Sequence, residues 1–231
     1  MIDGWHVTAQ DITHWTNTNR RQAQETLPRL VRKLVLASID LSWLSFPSGD
    51  SVLEGGLDGV LVAEKGNAFV SVGFNVFEFG TSKNINKKAD EDYEKRTNNP
   101  RDVNKKNTTF TFVTSQTWIK RDNWVKKKNS ESQWAQVKGL NANDLETWLD
   151  QCPAVHRWFA RLIGKRPEGA WDIEQAWNSW SSATKPACNV DLMLAGRQDQ
   201  ENELVNQLKA KPSAIRIVGE SEEEAYAFTL Q

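Results

Sequence analysis

The sequence contains only two cysteines, Cys152 and Cys188, among its 231 residues. Two thiols are too few for a disulfide framework or a cysteine-rich zinc site, which favours a reducing compartment. A long apolar run is also missing, because Asp40 interrupts the most hydrophobic stretch, residues 34–46. No basic segment followed by an apolar one opens the chain. We therefore expect a cytoplasmic protein without a membrane segment.

An excess of charge of one sign is absent as well, since 29 Lys and Arg stand against 30 Asp and Glu. The average hides an uneven distribution. Residues 83–138 hold 14 basic side chains and 7 acidic ones, whereas residues 199–231 hold 7 acidic and 3 basic ones. A basic segment attracts polyanions such as nucleic acid, although many charge runs are simply solvated faces.

Short β-rich runs alternate with helical segments along the first 165 residues. An amphipathic helix is predicted within residues 18–38, where apolar side chains recur every three or four positions. Strands are predicted at residues 58–64, 68–72, 75–79, 108–114 and 134–137, and further helices at 85–96, 122–128, 144–151 and 154–164. This alternation predicts an α/β fold with a mixed sheet flanked by helices.

Three segments are expected along the chain: a first domain at residues 1–165, a helical connector at 166–190 and the beginning of a second α/β module at 191–231. The last segment combines an acidic helix with an apolar run, residues 214–219, that predicts a strand. We expect the chain to be the N-terminal part of a longer protein. A phosphate-binding loop is not predicted, because the sequence after Gly219 lacks the required lysine.

Two carboxylates in neighbouring strands are the strongest candidates for chemistry. Glu78 lies between Phe77 and Phe79 in an otherwise apolar strand, where an acid is costly unless it is paired or binds metal. Asp58 begins another strand twenty residues earlier, a distance that suffices for two strands and two turns. Magnesium prefers such hard oxygen ligands. Lys83 follows within reach and is the candidate for stabilising charge on a phosphate.

The run GGLDGV at 55–60 and the strand FEFGTSK at 77–83, preceded by a helix that carries Glu25, resemble the PD-(D/E)XK superfamily of restriction-endonuclease-like nucleases. The resemblance implies a restriction-endonuclease-like mixed sheet that holds Mg²⁺ (or Mn²⁺) through Asp58 and Glu78, with Glu25 as the helix acid. The second residue after Glu78 is Gly80 rather than lysine. Lys83, or Lys87 on the next helix, would then supply the amine.

The longer stretch from about residue 10 to 230 resembles the N-terminal region of large bacterial effector proteins with a STAND-like architecture. The resemblance implies a magnesium-dependent endonuclease that cleaves double-stranded DNA in anti-phage defence, the remainder of a longer protein as a partner, and homo-oligomerisation. Basic residues after the acids would contact DNA: Lys87, Lys88, Lys95 and Arg96. The alternative is a module of the same fold with a degraded site that binds nucleic acid or a protein.

Overall fold

The computed structural model describes residues 5–46, 56–165, 173–211 and 214–230. The chain divides into two compact units, residues 1–167 and 168–231. Within the described residues, all strands belong to the first unit, and the second unit contains only helices, turns and irregular segments.

A five-stranded mixed sheet lies at the centre of the first unit. Its strands are adjacent in chain order: β1 (Leu41–Ser45), β2 (Gly59–Ala63), β3 (Gly73–Gly80), β4 (Thr108–Thr114) and β5 (Gln136–Leu140). Strands β1, β2 and β3 are antiparallel, whereas β3, β4 and β5 are parallel. The predicted α/β class with a mixed sheet is confirmed, and the restriction-endonuclease-like arrangement stays a prediction.

Six helices surround this sheet within the described residues. They are α1 (Ala9–Thr18), α2 (Arg20–Ser38), α3 (Ile85–Asn98), α4 (Arg121–Ser130), α5 (Ala142–Asp150) and α6 (Pro153–Leu162). Local sequence signals account for several helix starts. Thr8 and Asp11 form a capping box at α1, and Asn141 and Asp144 form another at α5.

Two apolar layers cover the two faces of the sheet. Phe77 of β3 packs in the layer that also contains α1, α2, α5 and α6, whereas Val76 packs in the layer that contains α3 and α4. Successive side chains of a strand point to opposite faces. Glu78 therefore lies on the same face as Val76, beneath α3. Phe110 and Phe112 of β4 complete this second layer.

The strand predicted at residues 68–72 does not form. The Asn67 carboxamide oxygen instead accepts hydrogen bonds from the backbone amides of Phe69 and Val70, at 2.8 and 2.9 Å. An asparagine side chain that binds the following backbone stabilises a turn in place of a strand. The turn still places its apolar residues, Phe69 and Val70, in the core.

The sequence patterns missed β1, an edge strand with an irregularity in its pairing between Leu41 and Trp43. Trp43 is 49% exposed, so the strand lacks the clean alternation of apolar and polar residues that would have indicated it. Glycine-rich residues 47–55, which follow it, lie outside the described part of the chain.

The described part of the second unit consists of α7 (Ile173–Ser181), α8 (Val190–Leu194), α9 (Gln198–Lys209) and α10 (Glu222–Thr229). A cavity of about 600 Å³ opens between α9, α10 and residues 215–220. The strand predicted at 214–219 is absent, because the described residues of this unit offer no second strand to satisfy its backbone groups. None of the described helices has the length and apolar character needed to cross a bilayer.

Candidate active site

Asp58 and Glu78 lie opposite each other at one end of the β2–β3 pair. Gly59 pairs with Phe77 in the antiparallel register, which places the preceding residue, Asp58, opposite Glu78 and on the same face of the sheet. The Asp58 Oδ2 atom accepts a hydrogen bond of 3.2 Å from the backbone amide of Phe79. The two carboxylates selected from the sequence are thus neighbours in the fold.

Helix α3 covers this pair with three charged residues at four-residue intervals. Lys88, Asp92 and Arg96 share one face of the helix because 3.6 residues make one turn. The Lys88 Nζ atom donates to Asp92 Oδ1 at 2.7 Å. All three side chains lie on the side of α3 that faces the sheet, where Asp92 and Arg96 are 5% and 3% exposed.

Arg96 joins the helix to β3 and to the segment that precedes β2. Its Nε atom donates to Glu78 Oε1, and its Nη2 atom donates to the carbonyl oxygen of Gly56. Glu78 is only 3% exposed, so the ion pair is shielded from solvent. A single guanidinium therefore connects β3 to the segment that leads into Asp58.

The site carries more negative than positive charge when all of its groups are ionised. Three carboxylates, Asp58, Glu78 and Asp92, stand against Lys88 and Arg96. Burial, and next the charge of Asp58, raises the pKa of Glu78 to about 8, against the lowering effect of Arg96. Burial likewise raises the pKa of Asp58 and that of Asp92. The negative charge of the three ionised acids therefore exceeds the positive charge of Lys88 and Arg96.

Asp92 also has an unpartnered oxygen. Its Oδ2 atom is buried and forms no hydrogen bond, whereas Oδ1 is held by Lys88. A buried carboxylate oxygen without a donor is costly. A cation or an ordered water at this position would remove the cost.

Gly80 is packed closely by Phe112 of β4 and by the stem of Lys88 on α3. A Cβ atom at position 80 would lie 2.5 Å from Phe112 Cζ and 3.2 Å from Lys88 Cγ. The position two residues after Glu78, where the resemblance calls for lysine, therefore has no room for a side chain. The stem of Lys88 fills the adjacent space instead.

Replacement of Gly80 by alanine is expected to destabilise the domain by about 1–3 kcal/mol, because the added methyl group would overpack the aromatic ring of Phe112. Urea unfolding of the two proteins measures the difference. Gly56→Ala is the matched control, since nothing lies within 4 Å of a Cβ atom there. Equal stability of the two variants would show that position 80 is not sterically closed.

The structure leaves several predicted residues outside this cluster. Glu25 is exposed on α2, where it pairs with Arg21 at 3.5 Å, and α2 packs against the face of the sheet opposite to Glu78. Lys83 is exposed in the irregular segment before α3. Lys87 is exposed and pairs with Glu91 at 3.7 Å. Lys83 and Lys87 are close to Glu78 in the sequence, but both lie outside the cluster.

The four residues predicted to contact DNA fall into two groups. Lys87 and Lys95 are exposed on α3 and available to a phosphate backbone. Arg96 is not available, because it is buried and holds Glu78. Lys88 is half-buried and holds Asp92. The donors of Arg96 serve Glu78 and Gly56 in this structure, and a contact of Arg96 with DNA stays a prediction.

Asp92 was missed by the sequence analysis although a signal existed. The buried positions of α3 are Ile85, Ala89, Asp92, Tyr93 and Arg96. Two charged residues within an otherwise apolar helical stripe indicate a buried polar site. The many charged residues on the other faces of the helix conceal this stripe in the sequence.

The donor chemistry of the cluster suits a magnesium ion with open coordination positions. Mg²⁺ is commonly held by one or two carboxylates, with water and substrate phosphate as the remaining ligands. Asp58 and Glu78 supply two such carboxylates, and the unpartnered oxygen of Asp92 lies on the helix above them. Among the described residues, only His6, Asp150 and His156 bring three candidate ligand atoms within 4.8 Å of one another. The three acids of the cluster do not.

In this histidine cluster, His156 has no lone pair left for a metal. His156 Nε2 accepts a hydrogen bond of 2.8 Å from the backbone amide of Val7. A neutral imidazole has a single acceptor nitrogen, so Nδ1 carries the proton and faces Asp150 Oδ1 at 3.5 Å. Burial lowers the pKa of His156, which favours this neutral form. The cluster anchors the N-terminal segment to α5 and α6.

Comparison with protein-family models, with curated proteins and with solved structures finds no match. The geometry of the site therefore carries the functional conclusion.

Proposed function

We propose that the first unit is a metal-dependent nuclease domain that hydrolyses phosphodiester bonds in double-stranded DNA. The observation that carries the proposal is the juxtaposition of Asp58 and Glu78 on one face of adjacent strands, with the Lys88 amine delivered by α3. Two hard ligands and a nearby amine are the groups that this chemistry needs.

Each residue would have a distinct role. Asp58 and Glu78 would hold Mg²⁺ (or Mn²⁺), which supplies Lewis acidity and an activated water when it is bound. Lys88 would orient the attacking water and stabilise negative charge on the phosphate. Asp92 holds the Lys88 amine through a hydrogen bond of 2.7 Å and so positions it.

The charge distribution around the site supports a polyanionic substrate. Residues 83–138 carry 14 basic and 7 acidic side chains. Several of the basic ones are exposed on α3 and α4: Lys87, Lys95, Lys126 and Lys127. Such side chains attract phosphates, while the acidic site handles the phosphate that is cleaved.

Incubation of the purified protein with supercoiled plasmid and Mg²⁺ tests the proposal. We expect nicked and linear products with Mg²⁺ or Mn²⁺, and none after addition of EDTA. A parallel reaction with RNA determines whether DNA is the preferred substrate. An absence of cleavage by the intact full-length protein under all of these conditions would overturn the nuclease proposal.

Replacement of Lys88 by methionine is expected to reduce cleavage by at least about tenfold, because it removes the amine and keeps most of the stem volume. Lys83→Met is the matched control, since Lys83 is exposed outside the cluster, and Lys87→Met tests the second lysine that the resemblance offers. Initial rates of plasmid nicking measure all three. A loss in Lys83→Met or Lys87→Met with full activity in Lys88→Met would reassign the amine.

A second candidate is a binding module in which the catalytic site is degraded. The buried Arg96–Glu78 ion pair favours it, because this pair already satisfies the carboxylate that would bind metal. The closed space at Gly80 points the same way. Salt-sensitive DNA binding that is unchanged by Mg²⁺ or EDTA, together with absent cleavage, would select this function.

The larger context remains a prediction from the sequence resemblance. It comprises the role as the effector part of a bacterial anti-phage protein, the partner segment of a longer chain, homo-oligomerisation and a cytoplasmic location. Full-length protein purified from its native host would be required to measure its assembly state.

A further inference from the structure

We propose that Arg96 is a latch: a divalent cation at Asp58 and Glu78 displaces the Arg96 guanidinium from Glu78 and thereby releases the carbonyl of Gly56. The inference rests on the proposed nuclease function and adds a regulatory step to the same site. Arg96 is here a positioning residue that acts through Glu78.

Competition for one carboxylate is the first step of the argument. Glu78 Oε1 accepts from Arg96 Nε, and both side chains are 4% exposed. A guanidinium and a divalent cation on the same carboxylate would repel each other at close range with little solvent screening. Occupation of Glu78 by the cation therefore disfavours the bond with Arg96.

Coupling to Asp58 is the second step. The Nη2 atom of Arg96 donates to the carbonyl oxygen of Gly56, two residues before Asp58. The planar guanidinium makes both contacts at once, a geometry that lysine cannot reproduce. Movement of Arg96 away from Glu78 breaks both bonds. Binding of the cation to Glu78 therefore frees the segment that carries Asp58.

The charge of the site gives the third step. A divalent cation brings two positive charges to Asp58, Glu78 and Asp92 in place of the single charge of Arg96. Two positive charges compensate three acids better than one. The unpartnered Oδ2 atom of Asp92 shows that the latched state leaves part of this negative charge unsatisfied. The latched state is accordingly a resting state that a cation can replace.

Nuclear magnetic resonance of arginine Nε–H groups tests the latch in the full chain without an activity measurement. A buried, hydrogen-bonded Nε–H gives a resolved resonance, assigned through bonds from the Arg96 backbone. Mg²⁺ is titrated at constant ionic strength, with NaCl as the matched control for screening. The amide of Phe79 reports on the site because it donates to Asp58.

We expect the Arg96 resonance to shift or disappear together with a shift of the Phe79 amide. The Nε–H of Arg121, which donates to Asp122 at 2.8 Å, is the internal control and should remain unchanged. A shift of Phe79 with an unchanged Arg96 resonance would overturn the latch and leave the metal site standing. If neither signal responds to Mg²⁺ or Mn²⁺, the metal site of the proposed function is itself wrong, and the latch falls with it.

Discussion

Asp58→Asn is expected to reduce Mg²⁺-dependent cleavage by at least about a hundredfold, because it removes one of the two carboxylates proposed to bind the metal. The fold should persist. The side-chain oxygen of asparagine can still accept the hydrogen bond that Phe79 donates to Asp58, and one of three crowded negative charges is lost. Initial rates of plasmid nicking and urea unfolding of the same preparation separate the two effects.

Glu64→Gln is the matched control for this loss. Glu64 follows β2 at its other end and is exposed, so its replacement removes an equivalent charge far along the strand from Glu78. We expect activity near that of the unmodified protein. Undiminished cleavage by Asp58→Asn would exclude Asp58 from the mechanism.

Arg96→Met is expected to destabilise the domain by about 3–5 kcal/mol, since it leaves Glu78 buried without its counterion. The double variant Glu78→Leu/Arg96→Met removes both charges and should recover most of this loss. Urea unfolding at about pH 9 measures the cycle, because Glu78 is then ionised in the unmodified protein. A double variant as unstable as the single one would show that Arg96 stabilises the fold through Gly56 or packing.

The pH dependence of this effect follows from the raised pKa of Glu78, about 8 in the fold. A carboxyl group with a raised pKa stabilises the fold while it is protonated, and this contribution is lost as the pH rises through the folded value. The penalty of Arg96→Met should therefore be smaller at about pH 5 than at about pH 9, because a protonated Glu78 needs no counterion.

The exposed pair of Arg21 and Glu25 provides the matched control for burial. Their side chains are 94% and 68% exposed, and surface ion pairs contribute about 0–1 kcal/mol. We expect Arg21→Met to change stability by less than about 1 kcal/mol at either pH. A comparable loss in both single variants would contradict the distinction between the buried and the exposed pair.

Local sequence patterns were sufficient for the strands that carry the acids. The apolar neighbours of Glu78 identified β3, and the run after Asp58 identified β2, although the strand predicted between them at 68–72 does not form. Local chemistry was misleading where a side chain competed with the backbone, as at Asn67, whose oxygen stabilises a turn. It was also weak at β1, where a pairing irregularity and the exposure of Trp43 obscure the alternation.

The candidate site could be predicted from the sequence only in its strand half. Asp58 and Glu78 depend on a short connection and a period of two residues, both of which are visible in the sequence. Lys88, Asp92 and Arg96 depend on which face of α3 meets the sheet, and this follows from the packing of Tyr93 and Phe110 beneath the helix.

The sequence by itself determined the α/β class, the strands of Asp58 and Glu78, and the uneven charge that a −1 total conceals. Only the tertiary structure decided which lysine and which arginine lie beside the acids. Lys87 and Lys88 are adjacent in the chain, yet they point about 100° apart around the helix. Lys87 is therefore exposed, whereas Lys88 reaches Asp92. Close packing of Phe112 against Gly80 excludes a side chain at position 80, and the stem of Lys88 from α3 lies against the same glycine.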